Sequence, residues 1–199
     1  MKKIVIASGN MGKLKEFQQL LGKCGFEVIP QSDFNVSNAD ETGTTFVENA
    51  IIKARHACQQ TGLASIADDS GIEVDALNGR PGVYSARYAG EGASDQQNNA
   101  KLLQELAGVP REQRTARYHA VLAYMRHADD PTPILCHGTW EGIILTEPRG
   151  ENGFGYDPLF FVPTHNCASA ELDKAEKNRI SHRGKAMQEL LSKMSTSLC

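Results

Sequence analysis

Hydrophobic and polar positions follow two different rhythms along this chain. Ile4, Val5 and Ile6 form a short β-branched run ending in Ser-Gly-Asn, which predicts a buried strand over residues 3–7. Leu14, Phe17, Leu20, Leu21 and Cys24 then recur at helical spacing, with Gly25 as the stop. Residues 26–29 read as a second strand ended by Pro30, and residues 33–43 as a polar loop. Thr45 and Glu48 match a capping box for a second helix, whose apolar face is Phe46, Ala50, Ile51, Ala54 and Cys58. A short strand over 65–68 runs into Asp-Asp-Ser-Gly, and residues 72–77 read as another strand.

Residues 78–94 are glycine-rich and loop-like, and Ser94 with Gln97 suggests a capping box for a helix to about Leu106. Residues 117–126 and 134–144 alternate as a long hairpin turning at Asp129-Asp130-Pro131. A loop over 151–157 precedes a short strand over 159–162. Two helices close the chain, over 170–179 and 184–194, the second with Met187, Leu190, Leu191 and Met194 on one face. Strands interleaved with helices, without repeat or linker, give a single α/β domain over 1–199, of one or two lobes.

Composition narrows the classes. At 199 residues with 40% hydrophobic and 23% charged residues, the chain can bury a substantial core. A net charge of −3 gives no general attraction for nucleic acid or an anionic membrane, so an anionic substrate needs a local cluster of cations or metal ions. The five cysteines are scattered, without a CxxC pair, which suits a reducing compartment and suggests neither a zinc site nor a disulfide framework. The apolar run at the start is too short for a signal peptide, and no stretch approaches a transmembrane helix. A cytoplasmic location is expected.

Several turns carry chemistry. Ser8-Gly9-Asn10-Met11-Gly12-Lys13 joins a strand to a helix, where small residues let backbone N–H groups approach a phosphate and Lys13 adds charge. It is not a Walker A loop, because the glycine spacing is too short and Leu14 stands where a hydroxyl would hold magnesium. Asp68-Asp69-Ser70-Gly71 offers paired acids at a strand end; adjacent side chains point to opposite faces, so one can serve as metal ligand or base while the other props the loop. The same residues also suit an Asp-capped turn. Glu41 offers a further carboxylate, Glu48 is read as a cap, and Lys53 can reach a phosphate or stand as an exposed helical lysine. In Gly153-Phe154-Gly155-Tyr156-Asp157-Pro158 the glycines let the ring sit in the open to stack on a purine, or the ring tucks into the core. Asp157 can accept from a ring N–H. Lys177, His182 and Arg183 offer donors to a carbonyl or phosphate.

Together these segments carry a resemblance. Ser-Gly-Asn-x-Gly-Lys at 8–13, Glu-Thr-Gly-x-Thr-Phe-x-Glu-Asn-Ala at 41–50, Lys-Ala-Arg at 53–55 and Ala-Asp-Asp-Ser-Gly at 67–71 resemble the bacterial inosine triphosphate pyrophosphatase family, also described as dITP/XTP pyrophosphatases. The likeness continues through Pro-Gly-Val-Tyr-Ser-Ala-Arg-Tyr at 81–88, Gly-Phe-Gly-Tyr-Asp-Pro at 153–158 and Ser-His-Arg-Gly at 181–184; Ser8 stands where Thr is frequent. The resemblance implies an elongated α/β fold with a long mixed sheet, two lobes around a nucleotide cleft, a homodimer and Mg2+. It implies hydrolysis of non-standard purine nucleoside triphosphates between the α- and β-phosphates. Carried over, Ser8, Gly9, Asn10, Met11, Gly12 and Lys13 hold phosphates with Lys53 nearby. Asp69 is the acid/base group and a magnesium ligand, helped by Glu41 and Asp68. Ser70, Phe154, Gly155, Tyr156, Asp157, Lys177, His182 and Arg183 complete the nucleotide pocket, with Phe154 stacked on the base.

Overall fold

The β-branched run at the N-terminus does what its composition demands. It forms strand β1 (Lys2–Ala7), with its last four residues buried. The computed structural model describes residues 2–22 and 25–197; Cys24, placed on the first helix by its spacing, lies outside them. Helix α1 (Met11–Gly22) buries Leu14, Phe17 and Leu21. Strand β2 (Phe26–Pro30) pairs in parallel with β1 and includes the proline expected to end it. Helix α2 (Phe46–Thr61) starts at the predicted Thr45–Glu48 capping box and ends at Gly62, which takes the left-handed conformation.

The next strand departs from expectation. Asp-Asp-Ser-Gly is turn-like by composition, yet β3 (Ala64–Val74) runs straight through it. The charges that ought to break a buried strand are paired with lysines, Lys13 on Asp68 and Lys53 on Asp69. The strand then stops at Val74, and residues 75–77, expected as strand, form a 3-10 turn.

Helix α3 (Asp95–Glu105) follows its predicted capping box at Ser94. Strands β4 (Thr115–Met125) and β5 (Ile134–Ile144) are sheet neighbours. In the turn between them Asp130 accepts from the Arg126 and Thr132 backbone N–H groups. Strands β6 (Phe160–Val162) and β7 (Cys167–Ala168) complete a seven-stranded sheet of order β2-β1-β3-β4-β5-β6-β7. It is mixed: β1 pairs in parallel with β2 and β3, whereas β5–β6 and β6–β7 are antiparallel. The α/β class is as expected.

The helix expected over 170–179 begins later, as α4 (Lys174–Ile180), because Asp173 caps it by accepting from the Glu176 N–H at 2.9 Å. The backbone before it is engaged elsewhere, since the Ala170 carbonyl accepts from Asn152 at 3.0 Å. Helix α5 (His182–Ser197) starts two residues before Gly184, with Met187, Leu190 and Met194 buried.

By its contacts the chain divides into two compact units: Met1–Asp69, Val121–His137 and Ala186–Cys199 in one, Ser70–Ala120 and Gly138–Lys185 in the other. The first has a core of small and aliphatic side chains, including Val5, Ala50, Ala54, Ala57, Ala67 and Val121. The second is aromatic, built on Tyr118, Trp140, Tyr156 and Phe160 with Ile72, Leu102 and Leu106. Cys58, Cys136 and Cys167 are free thiols. Among the described residues no helix is long and apolar enough to cross a membrane.

Gly142 on β5 shows how tight the aromatic core is. A Cβ there would collide with the Phe160 ring and lie 2.6 Å from the Phe161 carbonyl oxygen. Overpacking of this kind costs roughly 1–3 kcal/mol. Gly142→Ala is expected to lower the urea midpoint correspondingly; an unchanged midpoint would show that the Phe160 ring gives way freely.

Candidate active site

In the first unit, the start of α1 and the end of that unit's stretch of β3 supply charge. Asn10 caps α1: its side-chain carbonyl accepts from the Gly12 N–H at 2.8 Å and the Lys13 N–H at 3.1 Å, while Ser8 Oγ accepts from the Asn10 N–H at 3.2 Å. Two of the helix's open N–H groups are therefore held by Asn10 itself. Gly9 and Met11 are exposed, Met11 by 63%. Lys13, one turn in, points its ammonium at the fully buried Asp68 carboxylate.

The alternation of β3 separates the two acids, and each takes a cation from a different helix. Lys53, on α2, donates to Asp69 Oδ1 at 2.6 Å and lies 3.3 Å from Glu41 Oε1. Burial opposes the charge on Lys53, but Asp69, Glu41 and Asp68 outweigh it and raise its pKa above the ordinary value. Asp69 is also pushed up: burial disfavours its anion, Lys53 pulls it down, and Glu41 with Asp68 push it up again. It is a carboxyl poised to hold a proton more readily than an exposed one.

The loop carrying Glu41 is pinned to α2. Glu48 Oε2 accepts from the N–H and hydroxyl groups of both Thr44 and Thr45, which hold its carboxyl below the ordinary range. The Gly43 N–H donates to Asn49 at 2.9 Å, and a Cβ on Gly43 would lie 2.6 Å from that of Glu48. Glu48 is thus a cap, as its spacing implied.

In the second unit, Phe154 is 43% exposed rather than tucked into the core. The Lys177 ammonium stands 5.3 Å and the Arg183 guanidinium 5.8 Å from its ring centre. Gly184 brings these cations together. A Cβ there would collide with the Asn178 carbonyl, so only glycine lets α5 start this close to α4. Arg183 also donates to Ser70 Oγ at 3.1 Å.

Two residues expected in the pocket are engaged with the scaffold. Asp157, 2% exposed, accepts from the Phe154 N–H at 2.9 Å, the Ser169 hydroxyl at 2.9 Å and the Lys177 ammonium. That carboxylate anchors the loop and the lysine and is largely occupied. Tyr156 is buried in the aromatic core and donates its hydroxyl to the Ser85 carbonyl at 2.7 Å.

His182 reveals what the sequence reading missed. Its ring lies buried on Tyr118, 4.6 Å between centres and 8° from parallel, with Trp140 at 6.2 Å. The alternation over 117–126 and 134–144 marked a hairpin, and nothing in the spacing tied Tyr118 and Trp140 to His182.

Known proteins share this sequence and fold. The Ham1 family model matches residues 4–193. The chain is 67% identical over 195 residues to the dITP/XTP pyrophosphatase of Vibrio parahaemolyticus serotype O3:K6 (strain RIMD 2210633), covering 98% of each. It is 66% identical over 192 residues to that of Vibrio vulnificus (strain YJ016), covering 96% of each. The solved structure of a HAM1 protein from Coxiella burnetii superposes with a TM-score of 0.94 at 52% identity, over 98% of this chain and 100% of the other.

The Asp69–Lys53 geometry generates a pH test. In metal-free protein, followed by carboxyl 13C shifts, Asp69 is expected to titrate above the ordinary aspartate value. Lys53→Met removes the cation that lowers it, so the midpoint should rise further. A midpoint below the ordinary value, or a fall in Lys53→Met, would overturn the assignment.

Proposed function

We infer the function from one premise: the chain belongs to the Ham1 family. On that premise it is an enzyme hydrolysing non-standard purine nucleoside triphosphates, ITP, dITP and XTP, to the monophosphate and pyrophosphate, and so removing them from the nucleotide pool. The observation that carries the reading is the partly buried cluster of three carboxylates and two lysines in the first unit, Glu41, Asp68, Asp69, Lys13 and Lys53. Its components match what a metal–polyphosphate complex requires. The names of the relatives, dITP/XTP pyrophosphatases, support the substrate class. We take the enzyme to act in the cytoplasm as a homodimer, as the family likeness implies.

The residues fit magnesium. Hard carboxylate oxygens are its usual protein donors, and it is commonly held by one or two of them, with waters and substrate phosphates completing the shell. Among the described residues no group of three or more His, Cys, Asp or Glu side chains is placed to hold a metal ion, so the protein would supply a pair of carboxylates. Asp69 and Glu41 nevertheless converge on a single cation, the Lys53 ammonium. Asp69 and Glu41 would hold the metal together with the substrate, and Asp68, paired with Lys13 on the opposite face of the strand, would help them by its charge. When bound, magnesium neutralises phosphate charge and lowers the pKa of bound water.

The chain's own groups divide the remaining work. Asp69, with its raised pKa, accepts the proton of the attacking water. Lys13 and Lys53 turn from their carboxylates to the phosphates and stabilise charge on the departing pyrophosphate. The free side-chain amide of Asn10 and the Ser8 hydroxyl add donors there. In the second unit Phe154 stacks on the base, with Lys177 and Arg183 beside the ring. His182 and Arg183 donate to an oxygen at C6, which inosine and xanthosine have and adenosine lacks. Lys177, a cation held by Asp157, suits the C2 oxygen of xanthosine and disfavours the amino group of guanosine.

Three measurements test this. Hydrolysis of ITP in oxygen-18 water should label the monophosphate, and Asp69→Asn should lose about 10²–10⁴-fold in kcat with the fold intact. Label in released orthophosphate, or near-normal turnover of Asp69→Asn, would sink the reading. For the base, kcat/KM for ITP, XTP, GTP and ATP should show Arg183→Ala lowering the ITP-over-ATP ratio far more than the ITP-over-GTP ratio. Equal losses on all four would assign Arg183 to the phosphates.

A further inference from the structure

Phe154 presents a constraint that its own packing does not meet. Its ring is 43% exposed, so core contacts do not fix its direction. It is flanked by Gly153 at φ 83° and Gly155 at φ 61°, both in the left-handed region where glycine moves freely and ordering it is costly. A ring meant to stack must therefore be aimed by its backbone. Asp157 holds one side by accepting from the Phe154 N–H.

The other side is held from α3. Asp95 Oδ2 accepts from the Gly155 N–H at 2.6 Å, and Asn99 Nδ2 donates to the Gly155 carbonyl at 2.9 Å. Asp95 and Asn99 are four apart, so they project from the same helix face and grip both polar groups of one residue. Neither is needed to cap the helix, which Ser94 and Gln97 do. The Asn99 side-chain oxygen is buried without a hydrogen-bond partner. A buried amide left half-satisfied is unfavourable in itself, and the bond to Gly155 accounts for its being kept. The helix is anchored in its turn: the preceding residue, Asn98, accepts from the Ala89 N–H at 2.8 Å and donates to the Ala86 carbonyl at 3.2 Å.

We propose that Asp95 and Asn99 are positioning residues for base recognition, a two-point clamp on Gly155 that aims the Phe154 ring at the purine. The proposal rests on the reading of Phe154 as the base platform. It assigns to α3 a role in nucleotide affinity without contact to the nucleotide. It also separates base from phosphate: a loosened clamp weakens whatever carries a base and leaves a bare polyphosphate unaffected.

The experiment compares Asp95→Ala, Asn99→Ala and Asp95→Asn with wild type. Losing one hydrogen bond of the clamp should raise KM for ITP about tenfold and leave kcat within about twofold. The inhibition constant of inorganic tripolyphosphate, which has no base, should stay unchanged. Asp95→Asn keeps an acceptor for the Gly155 N–H but loses the charge, so it should restore most of the affinity. If it is as weak as Asp95→Ala, the charge at the helix start matters and the clamp is wrong. Unchanged KM in both alanine variants would likewise overturn it, as would a parallel rise in KM and in the tripolyphosphate constant. A second readout needs no turnover. With Phe154 replaced by 4-fluorophenylalanine, the 19F signal should be a single narrow line in the otherwise wild-type protein and should broaden or split in Asn99→Ala. A line unmoved by the substitution rejects the clamp even if ITP proves not to be the substrate, whereas absent ITP hydrolysis with a broadened line rejects the substrate alone.

Discussion

The structure of the first unit depends on cancelling buried charge in the middle of a strand. Asp68 and Asp69 lie in β3 at 2% and 7% exposure, where an uncompensated carboxylate would cost several kcal/mol. Strand alternation sends them to opposite faces, so no single cation can serve both. Two helices solve the problem, α1 with Lys13 and α2 with Lys53. Much else in the unit follows. The Asn10 cap fixes where α1 begins and hence where Lys13 points. The Glu48 clasp on Thr44 and Thr45 fixes where α2 begins and sets Glu41 beside Lys53. Net charge in the cluster remains negative, three carboxylates against two ammonium groups, which is the condition for it to receive a further cation.

The second unit follows a different rule, with aromatic packing below and polar holding above. Tyr118, Trp140 and Phe160 form a rigid floor, and His182 lies flat on it. Burial pushes the Tyr118 hydroxyl well above its ordinary pKa, aided by the Asp157 charge, so the floor stays neutral. Phe154, by contrast, is left exposed. Its surroundings are cations, Lys177 and Arg183, brought near by the tight turn at Gly184. A flat apolar ring with cations beside it suits a flat ligand carrying carbonyl oxygens, and it would serve poorly as a site for phosphate alone.

Much of this was legible in the sequence, and the exceptions share a cause. Both capping boxes, at Thr45 and Ser94, are local chemistry and appear where their spacing puts them. The apolar faces of α2 and α5 are likewise local patterns. The break expected at Asp-Asp-Ser-Gly was wrong because local composition prices the charges without knowing that Lys13 and Lys53 arrive to neutralise them. The start of α4 was misplaced for a similar reason: Ala170 favours helix by itself, but its carbonyl is claimed by Asn152. Among the site residues, Asp157 and Tyr156 were recognisable as part of a motif but not as its supports. Whether a carboxylate faces outward or holds its own loop depends on Ser169 and Lys177, which are distant in the chain.

That last distinction bears on how a short motif should be read. Gly153-Phe154-Gly155-Tyr156-Asp157-Pro158 contains one side chain that is presented and several that present it. Gly153 is glycine because a Cβ would strike the Asp157 carboxylate. Asp157 is acidic because Phe154, Ser169 and Lys177 all donate to it. Tyr156 is tyrosine because the core needs its ring and the Ser85 carbonyl needs a donor. Gly153, Tyr156 and Asp157 thus hold the loop, while the ring of Phe154 is left exposed. The same division holds at Ser8-Gly9-Asn10-Met11-Gly12-Lys13, where the Asn10 carbonyl is spent on capping the helix and Lys13 carries the charge. A motif that marks a site is therefore mostly scaffold, and the geometry of its hydrogen bonds is what separates the residues that meet a ligand from those that aim them.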